Sequence, residues 1–445
     1  MTAATTAKPI SMTRVALTSL AASSIEWYDF FIYGTAAALV FPKLFFAAGL
    51  PPAVALMASY STFAVGFLAR PVGGVVFGHF GDKVGRKKAL VTAMLIMGAA
   101  STAVGLLPSY ATIGVAAPIL LIVLRFLQGM AVGGQWGGAA LLAIENAPAH
   151  RKGFFGSFAQ MGVPAGVVLA NFIFLVMGKL VAPDSFVAWA WRVPFLLSIL
   201  LIGLAIYVQT KLEDTAEFQA LQKEAEKKAK AAGPKPVSPI LQVIAKNPKE
   251  ILLAAGSFVA ANGTFYLMIT YAVAYATGTV KVERTTILAA VMLGALVTAP
   301  LLPLTAAISD RFGRRGVFMF GAVGELLWAV PFFLLINTGS FPLMLLAMVG
   351  GLGFNNVMYG LQAAMMTEMF STEFRYSGAS LGYQIGAIFG GGFAPIIATA
   401  LFAKYHSSLA ISAYMAVLCV ISLVSVFVLV ETHKKEHRTA AVTTA

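Results

Sequence analysis

The sequence predicts an all-α integral membrane protein with twelve transmembrane helices in two pseudo-symmetric bundles of six. Of its 445 residues, 59% are hydrophobic and 11% are charged, and the mean hydropathy is +0.84. Soluble domains carry about 25% charged residues, so this chain could not cover its surface in water. Twelve apolar stretches are long enough to cross a bilayer, which takes about 20 residues. The first six stretches also share motifs with the last six.

The apolar stretches come in two sets of six, separated by a charged segment. The first set lies at about 15–46, 53–80, 88–107, 111–145, 154–178 and 188–210. The second set lies at about 250–277, 284–308, 316–336, 341–367, 376–403 and 407–431. The segment between them is rich in Lys, Glu and Pro, and it predicts an amphipathic or irregular linker. We therefore expect a tail, a bundle, a linker, a second bundle and a second tail, at 1–14, 15–210, 211–249, 250–431 and 432–445.

The basic residues predict the orientation. Loops and tails on one side hold 23 Lys and Arg, and those on the other side hold 5. Because loops rich in Lys and Arg stay in the cytoplasm, both termini and the linker are expected there. The net charge of +13 then belongs mostly to the face that meets anionic lipid. It gives no reason to expect a nucleic-acid partner.

An internal repeat relates the two halves. Gly81 opens the segment "GDKVGRKK" and Ser309 opens "SDRFGRRG". A constant offset of 228 relates the first motif to the second, pairing Asp82, Gly85 and Arg86 with Asp310, Gly313 and Arg314. An offset of 224 relates a later set, pairing Arg151, Gln160, Gly162 and Gly166 with Arg375, Gln384, Gly386 and Gly390. Two nearly equal offsets indicate duplication, which transporters use to build alternating access around a central site.

The loop between the second and third stretches, "GHFGDKVGRKKAL", predicts a conformational latch. Its glycines allow helices to approach closely, and Asp82 can sit at the positive end of a neighbouring helix. We expect no substrate contact from this motif or from its repeat. The latch residues are Gly78, Asp82, Gly85, Arg86, Asp310, Gly313 and Arg314. The alternative is that the basic run only sets the topology.

Two acids in the first stretch predict proton coupling. In "SSIEWYDFFIYG", Glu26, Asp29 and Tyr33 are spaced i, i+3 and i+7, so they share one helical face. Carboxylates at membrane depth are costly and usually mark ion or proton pathways. Asp29 is the favoured proton carrier because it lies nearer mid-depth, and Tyr33 is a candidate substrate contact. The alternative is a structural ion pair with Arg70 or Arg125.

Two arginines, midway along the second and fourth stretches, predict substrate anchors. Arg70 lies in "GFLARPVGG" and Arg125 in "RFLQGMAVGGQWGGA". Guanidinium groups stay charged and bind carboxylates through paired hydrogen bonds. Internal pairing with Glu26 and Asp29 is the alternative. Arg192, near the predicted outer interface, is expected to snorkel towards the headgroups.

Other polar side chains at membrane depth are candidates for orienting a substrate, or for bonding between helices. These are Gln135, Gln160, Asn262, Tyr266, Asn355, Asn356, Tyr383 and Gln384. Glu325, in the ninth stretch, is a buried carboxylate for which a structural role within its bundle is expected. Neither a nucleotide-binding loop nor a nucleophile constellation is present in the sequence. We therefore expect no enzyme activity, no cofactor and no metal site.

Five segments together resemble the metabolite:proton symporter family of the major facilitator superfamily. They are "EWYDFFIYG", "RPVGG" with "GDKVGRKK", "RFLQGMAVGGQWGGA", "WRVPFLLS" and "GFAPIIATAL". The resemblance covers about residues 20–218 and 300–405. It implies proton-driven uptake across a bacterial cytoplasmic membrane, because members carry organic and aromatic acids, or proline and betaine. One departure is Gln135, where members usually have Glu, so any proton role of that glutamate is lost or moved here.

The charge count favours an anionic cargo. Glu26 and Asp29 balance Arg70 and Arg125, so protonating one acid leaves a charge of +1 that suits a carboxylate. We therefore predict a monomeric, proton-coupled symporter that imports a small organic acid by alternating access, with the lipid bilayer as its other partner. One alternative is a betaine or proline symporter, for which a long carboxy-terminal coiled coil would be expected. A drug exporter and a receptor without transport are the others.

Overall fold

The computed structural model describes residues 12–84, 86–146, 151–200, 203, 207, 239–371 and 375–429. Some side chains in these ranges, including those at 12–19, 81–87 and 134–146, are not described. The described parts of the first half form six spans, here called spans one to six. Their bounds are Met12–Leu39, Pro52–Val84, Arg86–Leu106, Ala116–Asn146, Lys152–Leu180 and Ala190–Leu200. Span five is interrupted at Met161, between Lys152–Gln160 and Gly162–Leu180.

The second half repeats this order as spans seven to twelve. Their bounds are Pro248–Val280, Arg284–Phe312, Arg314–Asn337, Phe341–Glu368, Arg375–Tyr405 and Ser408–Val428. Within the described ranges, nine helices are apolar and long enough to cross a bilayer on their own. Spans three and six have shorter apolar helices, Val91–Leu106 and Ala190–Leu200. The predicted fold of twelve helices in two bundles is confirmed.

Four short helices lie between spans: Phe41–Leu44, Tyr110–Ile113, Pro183–Ala188 and Pro239–Lys246. The last is the described part of the predicted linker, and 211–238 lies outside the described residues. Three π-helical turns interrupt spans seven and eleven, at Leu267–Tyr271, Ala276–Val280 and Ile388–Gly392. Such turns are rare and are often found at functional sites.

Glycines bring spans two and four into backbone contact. A Cβ atom at Gly129 would overlap the Gly66 carbonyl, and one at Gly133 would overlap the Arg70 carbonyl. A Cβ atom at Gly73 would overlap the carbonyl of Met130 in the same way. Small residues at such spacing let membrane helices approach closely. As a result, Arg70 and Arg125, the two predicted substrate anchors, lie on helices whose backbones are in direct contact.

The repeated glycines do the same packing work in each bundle. Gly162 and Gly166 of span five would each clash with span one if they carried a Cβ atom, at Ser23 and at Trp27. Gly386 and Gly390 of span eleven meet span seven in the same way, at Ala255 and Val259 among others. The offset of 224 therefore relates two equivalent contacts, in which the fifth helix of each bundle packs against the first.

Candidate functional site

A narrow cavity of about 20 Å³ lies between the bundles, where span seven faces spans one, five, ten and eleven. Five predicted substrate contacts line it: Asn262, Tyr266, Asn355, Asn356 and Tyr383. The remaining lining residues were not predicted, and they are Trp27, Val163, Phe258, Ala261, Phe265 and Tyr359. Their spacing on helices is the same as that of ordinary core residues, so the sequence carries no signal that separates them.

Two of the lining amides are already engaged in bonds between helices. Asn355 Nδ2 donates to Ala261 O at 2.8 Å and to Thr264 Oγ1 at 3.1 Å. Asn356 Nδ2 donates to the backbone and side-chain oxygens of Thr298, at 3.1 and 3.0 Å. These amide hydrogens therefore tie span ten to spans seven and eight. In this conformation only the oxygens of the two side chains remain to meet a bound solute.

Arg70 does not line the cavity itself, but it lies behind the lining residue Trp27, 5.6 Å from the centre of its ring, and keeps unused hydrogen-bond donors. It is 1% exposed, and its guanidinium carbon lies 4.5 Å from the ring centres of both Phe30 and Phe67. Tyr266 and Tyr383, on the cavity wall, interact with the Arg70 guanidinium by charge and through side-chain hydrogen bonding. Nε and Nη2 have no hydrogen-bond partner in the protein. Glu26 is the acid whose charge acts on Arg70.

Arg125 lies behind the ring of Phe30 and does not line the cavity either. It is fully buried, and its guanidinium carbon lies 4.1 Å from the ring centre of Phe30 and 4.2 Å from that of Tyr33. Phe30 thus contacts both guanidinium groups. Nε and Nη2 of Arg125 also lack hydrogen-bond partners. Glycine at 66 makes this position possible, since a Cβ atom there would press against the guanidinium.

Three hydrogen bonds in series link Arg125 to Asp29. Arg125 Nη1 donates to Gln128 Oε1 at 3.1 Å, and Gln128 Nε2 donates to Ser101 Oγ at 2.6 Å. Ser101 Oγ in turn donates to Asp29 Oδ2. Every donor in this relay points towards the acid, which stabilises its charged form. The described side chains show no direct ion pair between Asp29 and Arg125, so the relay replaces the direct pairing considered from sequence.

The relay residues were missed by the sequence reasoning. Gln128 shares a helical face with Arg125, three residues earlier, and that spacing was the available signal. Ser101 carries no signal of its own, because a serine in an apolar helix usually bonds to the preceding turn. All four side chains are at most 2% exposed. The relay therefore depends on the packing of spans one, three and four.

The structure places three other predicted contacts away from the cavity lining. The Tyr33 hydroxyl donates to Thr62 Oγ1 at 2.8 Å, and its ring supports Arg125. Gln160 Nε2 donates to Tyr359 O at 2.8 Å and so crosses between the bundles. Gln384 is 5% exposed, and its side-chain oxygen has no partner. The side chain of Gln135 lies outside the described residues.

The predicted latch residue Asp310 joins the two bundles. Its carboxylate accepts hydrogen bonds from the backbone N–H groups of Gly153 and Phe154, both at 2.9 Å. It therefore caps the beginning of span five, where the helix dipole favours negative charge. Arg314 pairs with Asp310 at 2.7 Å and with Glu368 at 3.0 Å. Neither Gly153 nor Glu368 was predicted.

Gly313 turns the chain between spans eight and nine at a φ of +98°, a conformation that favours glycine. The corresponding residues of the first half cannot be compared side chain by side chain. The side chains at Gly78, Asp82 and Arg86 lie outside the described residues, as does Gly85 itself. The contact predicted for Asp82, at a neighbouring helix terminus, is the contact that its repeat partner Asp310 makes.

Solved structures share this fold. A partially occluded, inward-open structure of the xylose transporter XylE from E. coli matches with a TM-score of 0.71 and 16% identity, covering 95% of this chain and 98% of that one. A D-xylose-proton symporter structure matches with a TM-score of 0.72 and 15% identity, covering 96% and 99%. At this level of identity the likeness establishes the architecture.

The sequence relatives are much more similar. The shikimate transporter of Escherichia coli (strain K12) is 38% identical over 95% of each chain. The inner membrane metabolite transport protein YhjE of the same organism is 37% identical over 96% of each chain. The proline/betaine transporter of Salmonella typhimurium is 33% identical over 91% of this chain and 80% of that one.

A family match completes these findings, because residues 15–442 match the family described as sugar (and other) transporter. That match covers both bundles, and the relatives and structural neighbours are membrane transporters and not enzymes. The chain therefore belongs to the sugar (and other) transporter family of the major facilitator superfamily, as a membrane transporter of metabolites.

Proposed function

We propose that this protein is a proton-coupled symporter that imports a small organic anion across a bacterial cytoplasmic membrane. The observation that carries the proposal is the pair of buried guanidinium groups, Arg70 and Arg125, which lie behind the residues that line the cavity. In each, Nε and Nη2 have no partner in the protein. These two atoms form the side of the guanidinium that grips a carboxylate through parallel hydrogen bonds. A buried donor without a partner destabilises the protein, because it has lost its hydrogen bonds to water. A bound anion would restore those hydrogen bonds.

Arg70 is the better placed of the two to hold a substrate. It interacts with Tyr266 and Tyr383, which line the cavity. Arg125 is separated from the cavity by Phe30 and is tied to Asp29 by the relay. We therefore assign Arg70 to the carboxylate and Arg125 to the coupling machinery. Asn262, Asn355 and Asn356 are the cavity amides available for hydroxyl groups on the same substrate.

Asp29 is the proposed proton carrier, with Glu26 as the secondary candidate. A proton on Asp29 would neutralise the acid end of the relay, and the charge of Arg125 would then be uncompensated. A local positive charge favours entry of an anion. A proton entering the cell supplies about 2.3 kcal/mol per 100 mV, and a tenfold concentration ratio costs about 1.4 kcal/mol.

Alternating access would proceed by rocking of bundles 15–210 and 250–431 about the cavity, in a monomer with both termini in the cytoplasm. Asp310 and Arg314 would hold the cytoplasmic side closed, since Asp310 bonds to the first turn of span five in the opposite bundle. Asp82, Gly78, Gly85 and Arg86 are proposed as the matching latch of the first half.

A second candidate function is symport of a zwitterionic osmolyte such as betaine or proline. The aromatic lining of the cavity favours it, since Trp27, Phe258 and Tyr266 could hold a quaternary ammonium by cation–π contacts. A relative that is a proline/betaine transporter adds support. The unpartnered guanidinium groups favour the anion.

A thermal-shift screen of the purified protein separates the two candidates. Ligand at about 100 times its Kd stabilises a protein by about 2.7 kcal/mol, so binding is visible as a raised melting temperature. We expect shikimate, or another carboxylate in a panel of organic acids, to stabilise the wild type. Stabilisation by betaine or proline, with none from any acid, would reject the anion in favour of the osmolyte.

A further inference from the structure

Glu325 is a buried carboxylate that the proposed mechanism does not use. It lies in span nine, within the second bundle, and is fully buried. Thr264 of span seven, Asn355 of span ten and Cys419 of span twelve surround it. The side chains of Thr264 and Asn355 lie within hydrogen-bonding range of its carboxyl group, but neither carboxyl oxygen accepts a well-formed hydrogen bond from them. Ionisable groups inside membrane-spanning bundles are costly and usually functional.

The hydrogens of its neighbours are already committed elsewhere. Asn355 Nδ2 gives its two hydrogens to Ala261 O and to Thr264 Oγ1. The Thr264 hydroxyl donates to Ala260 O at 2.8 Å. An ionised Glu325 would therefore find no donor in this arrangement, whereas a carboxylic acid brings its own hydrogen. The geometry fits the protonated acid.

Ionisation would require a different arrangement of the same groups. The amide of Asn355 or the hydroxyl of Thr264 would have to turn from a backbone carbonyl towards the carboxylate. Asn355 lines the central cavity. Asn355 thus connects the charge of Glu325 to the cavity wall. Its amide bonds to a backbone carbonyl when Glu325 is protonated and would bond to the carboxylate when Glu325 is ionised.

The polar cluster around Glu325 lies at the same helix junction in the second bundle as the Asp29 relay does in the first. In the first bundle, Asp29 of span one, Ser101 of span three and Gln128 of span four form the relay. Ser101 is the residue that donates to Asp29. Each bundle therefore buries a polar cluster where its first, third and fourth helices meet. The acid stands on the first helix in one bundle and on the third in the other.

We propose that Glu325 is a second proton-binding site, in the second bundle, which exchanges its proton with the central cavity through Asn355 and Thr264. The carboxylate takes one proton from a hydronium ion in the cavity: an O–H bond of that ion breaks and leaves water, an O–H bond forms on the carboxyl group, and nothing is oxidised or reduced. Among the described residues, Cys419 is the titratable group on which the charge of Glu325 acts, and no cation there lies within ion-pair distance of Glu325. This inference deepens the proposed proton symport and rests on it.

Infrared difference spectroscopy of the reconstituted protein during a pH titration tests this site. The carbonyl stretch of a protonated carboxyl is read directly, without any substrate. We expect a band that fades as pH rises, that is missing from Glu325→Gln and that remains in Asp29→Asn. Asp184→Asn, which changes an exposed carboxylate, should leave the band unchanged. Glu325→Asp keeps a titrating acid and should move the band, which covers the case that Glu325→Gln does not fold.

Two results would overturn the proposal. If Glu325→Gln and Glu325→Asp both keep the wild-type spectrum, Glu325 carries no exchangeable proton. If the band is lost in Glu325→Gln but does not change with pH in the wild type, the acid is permanently neutral and structural. Neither reading depends on transport, so a failure of the symport proposal is seen separately, in the behaviour of Asp29→Asn.

Discussion

Replacing Arg70 by lysine should weaken substrate binding without abolishing it. The guanidinium is buried over two phenylalanine rings, and its Nε and Nη2 atoms are free to bind a carboxylate. Lysine keeps the positive charge but can make only one of the two parallel bonds. A hydrogen bond to a charged group contributes about 1.5–3 kcal/mol. The Kd for a carboxylate should therefore rise about 10- to 150-fold.

Equilibrium binding to the purified protein, by titration calorimetry, measures this change. Shikimate is the first ligand to test, or whichever organic acid stabilises the wild type in the thermal-shift screen. Arg192→Lys is the matched control, because the Arg192 guanidinium is already bound to the carbonyls of Gly105 and Leu107. That variant should bind the acid as the wild type does.

The transport kinetics should agree with the binding data. Arg70→Lys should raise KM while transport at high substrate survives, since the positive charge behind the cavity wall is retained. Arg70→Gln should be far worse, because it also removes the cation that acts on Glu26. If Arg70→Lys binds the acid with the wild-type Kd, Arg70 is a structural residue and the assignment of the substrate anchor is wrong.

Three further predictions concern packing, the latch and topology. Gly133→Ala should cost about 1–3 kcal/mol of stability, because its Cβ atom would overlap the Arg70 carbonyl. Gly316→Ala, which meets open space, should cost nothing in the same thermal unfolding assay; equal melting temperatures would contradict the packing. Asp310→Ala should make a cysteine introduced at Tyr359 label faster from the cytoplasmic side, and an unchanged rate would remove the latch. Cysteines at Lys43 and Lys281 should label from outside and one at Arg311 only after permeabilisation; outside labelling at Arg311 would reverse the orientation.

The helices and their packing faces could be predicted from the sequence because apolar length and small residues are local signals. Gly162 and Gly386 were paired by offset alone, and in the structure each meets the first helix of its own bundle. The buried charges could also be found, since Arg70, Arg125 and Asp29 stand out in apolar helices. Their roles remain predictions, which the binding and transport experiments address.

The connections between these charges could not be predicted. Whether Arg125 meets Asp29 directly or through Ser101 and Gln128 depends on how closely spans one, three and four pack, and the sequence of one helix does not determine that. The rest of the cavity lining was missed for a related reason, since Trp27 and Phe258 have the spacing of ordinary core residues. From the sequence, the amide of Asn355 could bond either to a substrate or to another helix. The structure shows that it donates to the Ala261 carbonyl of span seven.

Substrate accumulation driven by a pH gradient, in liposomes containing Asp29→Asn, tests the coupling claim most directly. The same liposomes should be assayed for exchange of preloaded substrate, with the wild type and Glu26→Gln alongside. Exchange requires no net proton release, so it should survive in Asp29→Asn while accumulation is lost, and Glu26→Gln should be affected less. Wild-type accumulation by Asp29→Asn would contradict the claim that this carboxylate carries the coupled proton.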